Sequence, residues 1–258
     1  MLGKRYIRDL TTSLCKDIFY LRKSSRPKKI LFDHLPKCAG SSLNSFLKSH
    51  FPNRLIFCTD GYHNAESVEL FKSYPEPKRH SFALITGHRT NELISCASPE
   101  CIKITVLRDP VERIISHYYY AKSNTFHYLY DTIHKHKISL KEYACSGLSE
   151  ELQNWYVIHF SGLSHLDIQK QPEEAIKTAY KEIENRYDCV GFLDKIDVFV
   201  KDLKRKANLT KEFGNFRENT TKGKPTVSTI PADVIQTIEI ENKLDIALYN
   251  MIKSRIAY

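Results

Sequence analysis

Polar residues stand at the ends of predicted strands, and their side chains suit the binding of a phosphate-like anion. Lys37 follows the apolar strand at 30–32, and His88 and Arg108 each follow another short apolar run. The carboxyl ends of parallel strands meet at one edge of a sheet, so we expect these residues to share that edge. Two cations and an imidazole can together bind an anionic group and accept a proton.

The turn after Lys37 has the composition of an anion-binding helix start. Free backbone N–H groups and the positive end of a helix dipole attract anions at such a turn. Lys37 precedes the small residues, whereas the lysine of an ATPase P-loop follows its glycines. The turn therefore predicts a phosphate-like ligand without the usual ATPase arrangement. The small residues that open the helix are Cys38, Ala39, Gly40, Ser41 and Ser42.

A second anion-binding feature begins at Arg108, which ends the β-branched strand at 101–107. Asp109 is a favourable N-cap for the helix that follows. Ser116 lies two turns into that helix, so Arg108 and Ser116 can face one phosphate, with the guanidinium making forked contacts. The alternative for Arg108 is a structural ion pair with Asp109 or Glu112.

Composition and charge are those of an ordinary globular protein with a basic end. The chain has 258 residues, of which 41% are hydrophobic and 27% are charged. Residues 1–29 carry +7 of the net charge of +9, so the excess forms a basic N-terminal arm. Such an arm can touch nucleic acid, anionic lipid or an acidic partner, or it is simply a solvated surface segment.

Cysteine and histidine spacing argues against a metal site. The seven Cys include no CxxC pair, so we expect reduced thiols, and the His residues show no HExxH spacing.

No apolar run approaches the length of a membrane helix, and no secretory signal is expected. These features favour a bacterial-type cytoplasmic protein. A trimmed catalytic domain from the Golgi lumen is the alternative.

Strands that alternate with helical stretches predict an α/β fold with a central parallel sheet covered by helices on both faces. We expect one P-loop-like domain over 30–258, after the arm at 1–29. Residues 59–80 contain two prolines and little apolar periodicity, which favours a surface loop or lid. The predicted strands are 30–32, 55–58, 81–86, 101–107 and 189–193, and the main predicted later helices are 140–145, 150–160, 172–187, 195–207 and 231–254.

Two segments resemble motifs of one enzyme family. Residues 34–42, HLPKCAGSS, resemble the 5′-phosphosulfate-binding loop of sulfotransferases, and residues 106–119 resemble their 3′-phosphate-binding strand and helix. The form LRDPxERxxSxYYY is similar to the carbohydrate branch, in particular the uronosyl (heparan sulfate) 2-O-sulfotransferases and their bacterial relatives. Shorter similarities follow in the same order, at Gly87-His88, 154–162, 190–192 and the string Asn219-Thr220-Thr221 with Lys224-Pro225.

The resemblance implies a donor, 3′-phosphoadenosine 5′-phosphosulfate, which leaves as adenosine 3′,5′-bisphosphate, and it implies no metal. Lys37 would neutralise charge on the leaving bridge oxygen, and His88 would take the proton of the acceptor hydroxyl. His34 and His117 flank the motifs and are expected either to support the site residues without contacting the donor or to pack. The implied donor-binding residues are Lys37, Cys38, Ala39, Gly40, Ser41, Ser42, Arg108, Ser116, Asn219, Thr220, Thr221 and Lys224.

Two positions depart from the 2-O-transferase pattern. Thr86 stands where that branch has a second His, and Cys38 replaces a Thr. The expected acceptor is therefore a hydroxyl, with a carbohydrate favoured, and heparan specificity is not implied. No nucleic acid partner and no transmembrane segment are expected. The alternatives are a P-loop-like nucleotide or small-molecule kinase and a non-catalytic anion- or nucleic-acid-binding module.

Overall fold

The computed structural model of the protein describes residues 26–59, 61, 63–216 and 225–256, which form two compact units of interleaved segments. We call them the sheet unit and the helical unit. The sheet unit takes the described residues of Met1–Leu35, Ala39–Val106 and Tyr187–Glu218. The helical unit takes those of Pro36–Cys38, Leu107–Arg186 and Asn219–Tyr258.

Most of the predicted basic arm at 1–29 lies outside the described residues, as does the segment 217–224. The division of the chain into an arm and a domain over 30–258 therefore stays a prediction.

The sheet unit is built around a five-stranded sheet. Its strands are β1 (Ile30–Asp33), β2 (Ile56–Cys58), β3 (Leu84–Gly87), β4 (Ile102–Leu107) and β5 (Cys189–Phe192). The strand order is β2-β3-β1-β4-β5, and β1 pairs in parallel with both β3 and β4, as β2 does with β3. The predicted α/β class with a parallel sheet is confirmed, and every predicted strand is present with bounds shifted by up to three residues at either end.

Twelve α-helices are found in the described residues. Those of the sheet unit are α1, α2, α3 and α10, and the others belong to the helical unit. In chain order they are α1 (Gly40–Lys48), α2 (Asn64–Ser73), α3 (Glu76–Ser81), α4 (Pro110–Ser123), α5 (Tyr130–Lys135), α6 (Leu140–Cys145), α7 (Trp155–Ser161), α8 (His165–Lys170), α9 (Pro172–Arg186), α10 (Ile196–Ala207), α11 (Ala232–Glu241) and α12 (Lys243–Arg255).

Helices cover both faces of the sheet because successive strand side chains point to opposite sides. Ile30 and Phe32 of β1 belong to a buried cluster with Phe46 of α1 and Phe199 of α10. Leu31, between them, belongs to a second cluster that includes residues of α2. Burial on both faces explains why β1 is apolar without the alternation of a half-exposed strand.

The prediction of a surface loop or lid at 59–80 is wrong, because this segment contains α2 and α3. Val68 and Phe71, one turn apart on α2, are buried against the sheet's second cluster. Pro75 precedes the first residue of α3 and Pro77 lies in its first turn, where a proline's missing N–H costs nothing. The prolines therefore mark the start of a helix here.

Two helices that the sequence predicts in the helical unit have different bounds in the structure. The segment predicted as a helix at 150–160 begins as a 3-10 turn, and α7 starts only at Trp155. The helix predicted over 231–254 is broken between α11 and α12 at Asn242. The Asn242 side chain is buried, donates to the carbonyls of Leu152 and Ile238, and accepts from the Asn154 N–H. The contacts with Leu152 and Asn154 come from residues distant in sequence, so local periodicity does not predict them.

Arg113 of α4 and Asp245 of α12 form a fully buried ion pair in the helical unit, with 3.8 Å between Nη2 and Oδ2. Asp245 also accepts from the N–H groups of Tyr156 and Val157, each at 3.0 Å. Burial raises the pKa of the Asp245 carboxyl to about 6, and the Arg113 charge opposes that shift. The pair ties two helices together in an environment where an unpaired charge is costly.

Candidate active site

The turn between β1 and α1 has an unusual backbone conformation, and the residue before the helix provides no side-chain cap. Lys37 and Ala39 have φ angles of 65° and 61°, a left-handed conformation that costs non-glycine residues energy and is concentrated at functional sites. Ala39, the residue before α1, has no side chain able to cap the helix. Ala39 therefore offers the first N–H groups of α1 no side-chain acceptor, and a helix start of this kind suits an anion.

Gly40 is required where α1 begins. A Cβ added to this residue would lie 1.4 Å from Nε2 of His34, so the ring of His34 takes the space that a side chain would need. Of the two serines that follow, Ser41 is exposed and Ser42 is buried. Within the sheet unit, His34 therefore packs directly against the start of the helix.

His88 follows β3 in the sheet unit, and its ring is oriented by the backbone. Nδ1 of His88 lies 2.8 Å from the carbonyl oxygen of His34 and donates to it. In the neutral ring this contact leaves Nε2 with the lone pair. Gly87 precedes it at a φ of 128°, and a Cβ there would lie 2.0 Å from Oγ1 of Thr59. The strand end thus fixes both the position and the tautomer of His88.

His34 stacks on His88, with 4.4 Å between ring centroids and 27° between ring planes. Nδ1 of His34 accepts from the Asn44 side chain at 3.2 Å, and the Thr86 hydroxyl donates to the amide oxygen of Asn44. Thr86, which stands where the 2-O-transferase pattern has a histidine, thus helps to orient His34 through Asn44. Of the two roles expected for His34, support of a site residue is the one that this stacking shows. Its place at a strand end, directly before the anion-binding turn, was the available signal.

Lys37 belongs to the helical unit, where its ammonium lies against an aromatic ring. Nζ is 3.5 Å from the ring centroid of Tyr120, a residue of α4. Such a cation–π contact contributes about 0.5–2 kcal/mol, depending on how well water is excluded. Tyr118, Tyr119 and Tyr120 do not share a face, because successive residues of a helix point in different directions: Tyr118 is buried and Tyr120 is exposed.

Arg108 contacts both the turn and its own helix. Its Nη1 donates to the backbone oxygen of Lys37 at 3.3 Å. Nε and Nη2 donate to Oε2 of Glu112 at 3.2 and 3.0 Å. The ion pair with Glu112, which the sequence left as an alternative, is therefore present together with the contact to the turn. Asp109 caps α4 by accepting from the Glu112 N–H at 3.0 Å, as predicted.

Tyr156 of α7 is a positioning residue that sequence reasoning missed. Its hydroxyl accepts from the Arg108 N–H at 3.0 Å and donates to the Arg108 carbonyl at 2.9 Å. The same oxygen lies 3.2 Å from Sγ of Cys38. Burial raises the pKa of both Tyr156 and Cys38, so both stay protonated. Tyr156 thereby holds the two motifs together within the helical unit.

The other predicted site residues have different outcomes. Because the Cys38 side chain is buried, any contact that this residue makes with a donor comes from its backbone. Ser116 is mostly buried on α4, one turn before Tyr120, and His117 packs in the interior beside it. The remaining predicted contacts, Asn219, Thr220, Thr221 and Lys224, lie outside the described residues.

The described residues bring together no group of three or more His, Cys, Asp or Glu side chains that could hold a metal ion. Among the helices of 26–59, 61, 63–216 and 225–256, none combines the length and hydrophobicity that a membrane span requires.

Comparisons with known proteins give one family. No protein with curated function matches the sequence. A crystal structure of a sulfotransferase from Alicyclobacillus acidocaldarius is similar to the chain at a TM-score of 0.45 and 14% identity, over 90% of this chain and 98% of that one. The kinase and non-catalytic alternatives gain no support. The profile of the Sulfotransferase family matches residues 23–251, and the chain belongs to that family.

Proposed function

We propose that the protein transfers a sulfuryl group from 3′-phosphoadenosine 5′-phosphosulfate to a hydroxyl group, with a carbohydrate as the expected acceptor. One observation carries the proposal: Nη1 of Arg108 donates to the backbone oxygen of Lys37. This contact joins the two motifs whose cations are expected to bind the two phosphate ends of the donor. Family membership supports sulfuryl transfer, and the donor and acceptor are our inference.

The residues present fit such a donor. The N-terminal N–H groups of α1 follow Ala39, which has no capping side chain, and they can bind the 5′-phosphate. Arg108 is only partly exposed and can give a phosphate the forked contacts that it now gives Glu112. Ser116, two turns further along α4, adds a hydroxyl for the 3′-phosphate. The donor supplies the sulfuryl group and departs as adenosine 3′,5′-bisphosphate.

Lys37 supports departure of that product. In the transfer, a bond forms between the acceptor oxygen and sulfur, and the bond between sulfur and the bridging oxygen breaks. Negative charge then accumulates on the bridging oxygen. The ammonium of Lys37 can neutralise this charge, and a preorganised group of this kind contributes about 10²–10³-fold to kcat.

His88 accepts the proton that the acceptor hydroxyl must lose. Its Nδ1 donates to the His34 carbonyl, so the lone pair of the neutral ring is on Nε2. Because His34 stacks on the ring and is itself held by Asn44, the base has little freedom to rotate. General-base catalysis of this kind contributes about 10²–10⁴-fold.

A transfer assay tests the proposal. The protein is incubated with radiolabelled donor and a panel of glycans and phenols, in parallel with Lys37→Ala and His88→Ala. Lys181→Ala, at an exposed position of α9, is the matched control. We expect label transfer by the wild type and the control, and a strong loss in both active-site variants. Wild-type turnover in His88→Ala would reject the base assignment alone. No transfer to any acceptor, together with no binding of adenosine 3′,5′-bisphosphate, would reject the proposal.

A further inference from the structure

Exposed aromatic side chains are concentrated in one short segment of the helical unit. Tyr120, Phe126 and Tyr128 are 37%, 79% and 63% exposed. In the part of the chain that the structure describes, these are the large aromatic residues that count as exposed; the other exposed large hydrophobic residues are aliphatic and scattered. Soluble proteins seldom leave such a group of rings in water without a ligand or partner for it.

His127 joins Tyr120 and Tyr128 through ring contacts, and with the neighbouring Phe126 these residues form what we call the aromatic platform (Tyr120, Phe126, His127 and Tyr128). The His127 ring stacks on Tyr128 at 4.6 Å and 24°, and it meets Tyr120 edge-on at 5.6 Å. Tyr120 in turn lies 3.5 Å from Nζ of Lys37. The platform therefore begins at the side chain proposed to stabilise the leaving group.

Hydrogen bonds hold the platform in place. The Tyr128 hydroxyl donates to Oγ of Ser149 at 2.8 Å. Asn124 donates from its side chain to the Tyr120 hydroxyl at 2.9 Å and accepts from the Phe126 N–H at 3.1 Å. Rings fixed in this way lose little conformational entropy when a ligand binds, which favours recognition.

His127 is a neutral hydrogen-bond donor in this arrangement. Its Nδ1 accepts from the Leu129 N–H at 3.2 Å, so the proton of the neutral ring is on Nε2. Burial lowers the pKa of His127 to about 4, and the neighbouring His117 and Lys37 lower it further against the opposing effect of Glu151. The platform thus adds an N–H donor without adding a charge.

The charges around the platform do not suit a polyanion. Residues 123–130 contain no Lys, Arg, Asp or Glu. Lys122, just before them, donates to the Tyr118 hydroxyl at 3.3 Å, and the Glu151 carboxylate lies 2.9 Å from Nε2 of His117. Lys37 is assigned to the donor, so the platform side chains themselves offer the carboxylates or sulfates of an anionic chain no cation with which to pair. A neutral ligand needs no such counter-charge.

We propose that the aromatic platform is the acceptor subsite and that it binds the apolar face of a neutral sugar ring within an oligosaccharide. Axial C–H groups of a pyranose can lie on an aromatic face, while its hydroxyls reach donors and acceptors at the rim such as His127. The reacting hydroxyl must come within about 3–3.5 Å of the sulfur, so an acceptor has to bind beside Lys37. This inference rests on the proposed function.

The openness of the platform favours a sugar within a chain over a small phenol. Small apolar ligands bind in concave pockets that bury about 70–90% of their surface. Phe126 and Tyr128 are more than half exposed, so they offer an open surface on which a longer ligand can lie.

Saturation-transfer NMR tests the subsite without requiring turnover. The probes are cellotriose, chitotriose and maltotriose as neutral oligosaccharides, chondroitin as an anionic chain and 4-nitrophenol as a phenol. Each is added to the protein saturated with adenosine 3′,5′-bisphosphate. We expect saturation of ring C–H protons of at least one neutral oligosaccharide, and a Kd about ten-fold weaker or more in Tyr128→Ala. Tyr128→Phe keeps the ring and should bind within about three-fold of the wild type.

The control for exposure is Leu166→Ala, which removes a side chain of similar exposure (66%) elsewhere in the helical unit and should leave sugar binding unchanged. Bisphosphate affinity should be equal in all these proteins. Binding of chondroitin or 4-nitrophenol instead of a neutral sugar, or sugar binding that survives Tyr128→Ala, would overturn the subsite. Absence of bisphosphate binding to the wild type would instead count against the proposed function, so the two failures are distinguishable.

Discussion

The two units hold their site residues in different ways. In the sheet unit, His88 is fixed by a backbone carbonyl and by stacking on His34, at the end of a buried strand. In the helical unit, the Lys37 ammonium contacts the Tyr120 ring, and Arg108 forms an ion pair with the Glu112 carboxylate. The histidines thus have partners that a ligand cannot replace, whereas the cations have partners that a phosphate or sulfate can displace.

This difference separates a preorganised base from exchangeable anion ligands. The Glu112 side chain is 46% exposed and that of Arg108 is 14% exposed, so water reaches the ion pair, and solvent-exposed pairs contribute only about 0–1 kcal/mol. A doubly charged phosphate offers Arg108 a stronger forked contact than one carboxylate. We therefore expect the sheet unit's histidines to keep their positions on donor binding, while Arg108 changes its partner.

The largest expected effect comes from the sheet unit. His88→Ala should lower kcat by about 10²–10⁴-fold, because the acceptor proton loses its acceptor group. Donor affinity should be unchanged, since the proposed donor contacts lie elsewhere. Added imidazole should restore part of the rate if the loss is that of a base. A variant with unchanged kcat, or one in which donor binding collapses, would contradict the division of roles.

The buried ion pair of the helical unit should control stability. Asp245→Asn leaves the guanidinium of Arg113 without its counter-charge, and we expect a loss of about 3–5 kcal/mol in the free energy of unfolding, measured by urea denaturation. Asp233→Asn is the control, because its partner Lys141 and the aspartate itself are both exposed, and its midpoint should barely move. Equal midpoints for the two variants would refute the structural role assigned to Arg113.

Arg108 should behave differently from Arg113 although the two share one motif. Arg108→Ala should weaken adenosine 3′,5′-bisphosphate by about ten- to a hundred-fold in calorimetry, because charge-assisted hydrogen bonds are lost. Stability should change little. Glu112→Gln removes the competing carboxylate and should bind at least as tightly as the wild type. Weaker binding in Glu112→Gln would mean that the carboxylate is not displaced.

The smallest effect expected is a pH dependence from His127. Its pKa is about 4 in the folded protein, below the ordinary value of 6.5, mainly because of burial. The unfolded chain therefore takes up a proton at His127 first as the pH falls, and this residue's contribution should lower stability between pH 6.5 and about 4. His127→Gln should make this decrease shallower, with the exposed His136→Gln as control. An identical dependence of stability on pH in the wild type and in His127→Gln would contradict the lowered pKa of His127.

The strands and their polar ends could be predicted from the sequence, because β-branched apolar runs and strand-end residues carry local signals. Helix α2 was missed because only Val68 and Phe71 mark its buried face, and the prolines near it resembled loop residues. The break at Asn242 and the contact of Lys37 with Tyr120 depend on residues far apart in the chain, so no local pattern reports them. The same holds for the stacking of His34 on His88.

A crystal structure with adenosine 3′,5′-bisphosphate bound tests the central claim most directly. The account predicts the 5′-phosphate beside Lys37 and the 3′-phosphate on Arg108 and Ser116, with Arg108 released from Glu112. The His88 Nδ1 contact to the His34 carbonyl should be unchanged. A bisphosphate bound elsewhere, with the ion pair between Arg108 and Glu112 still intact, would contradict the proposed donor site.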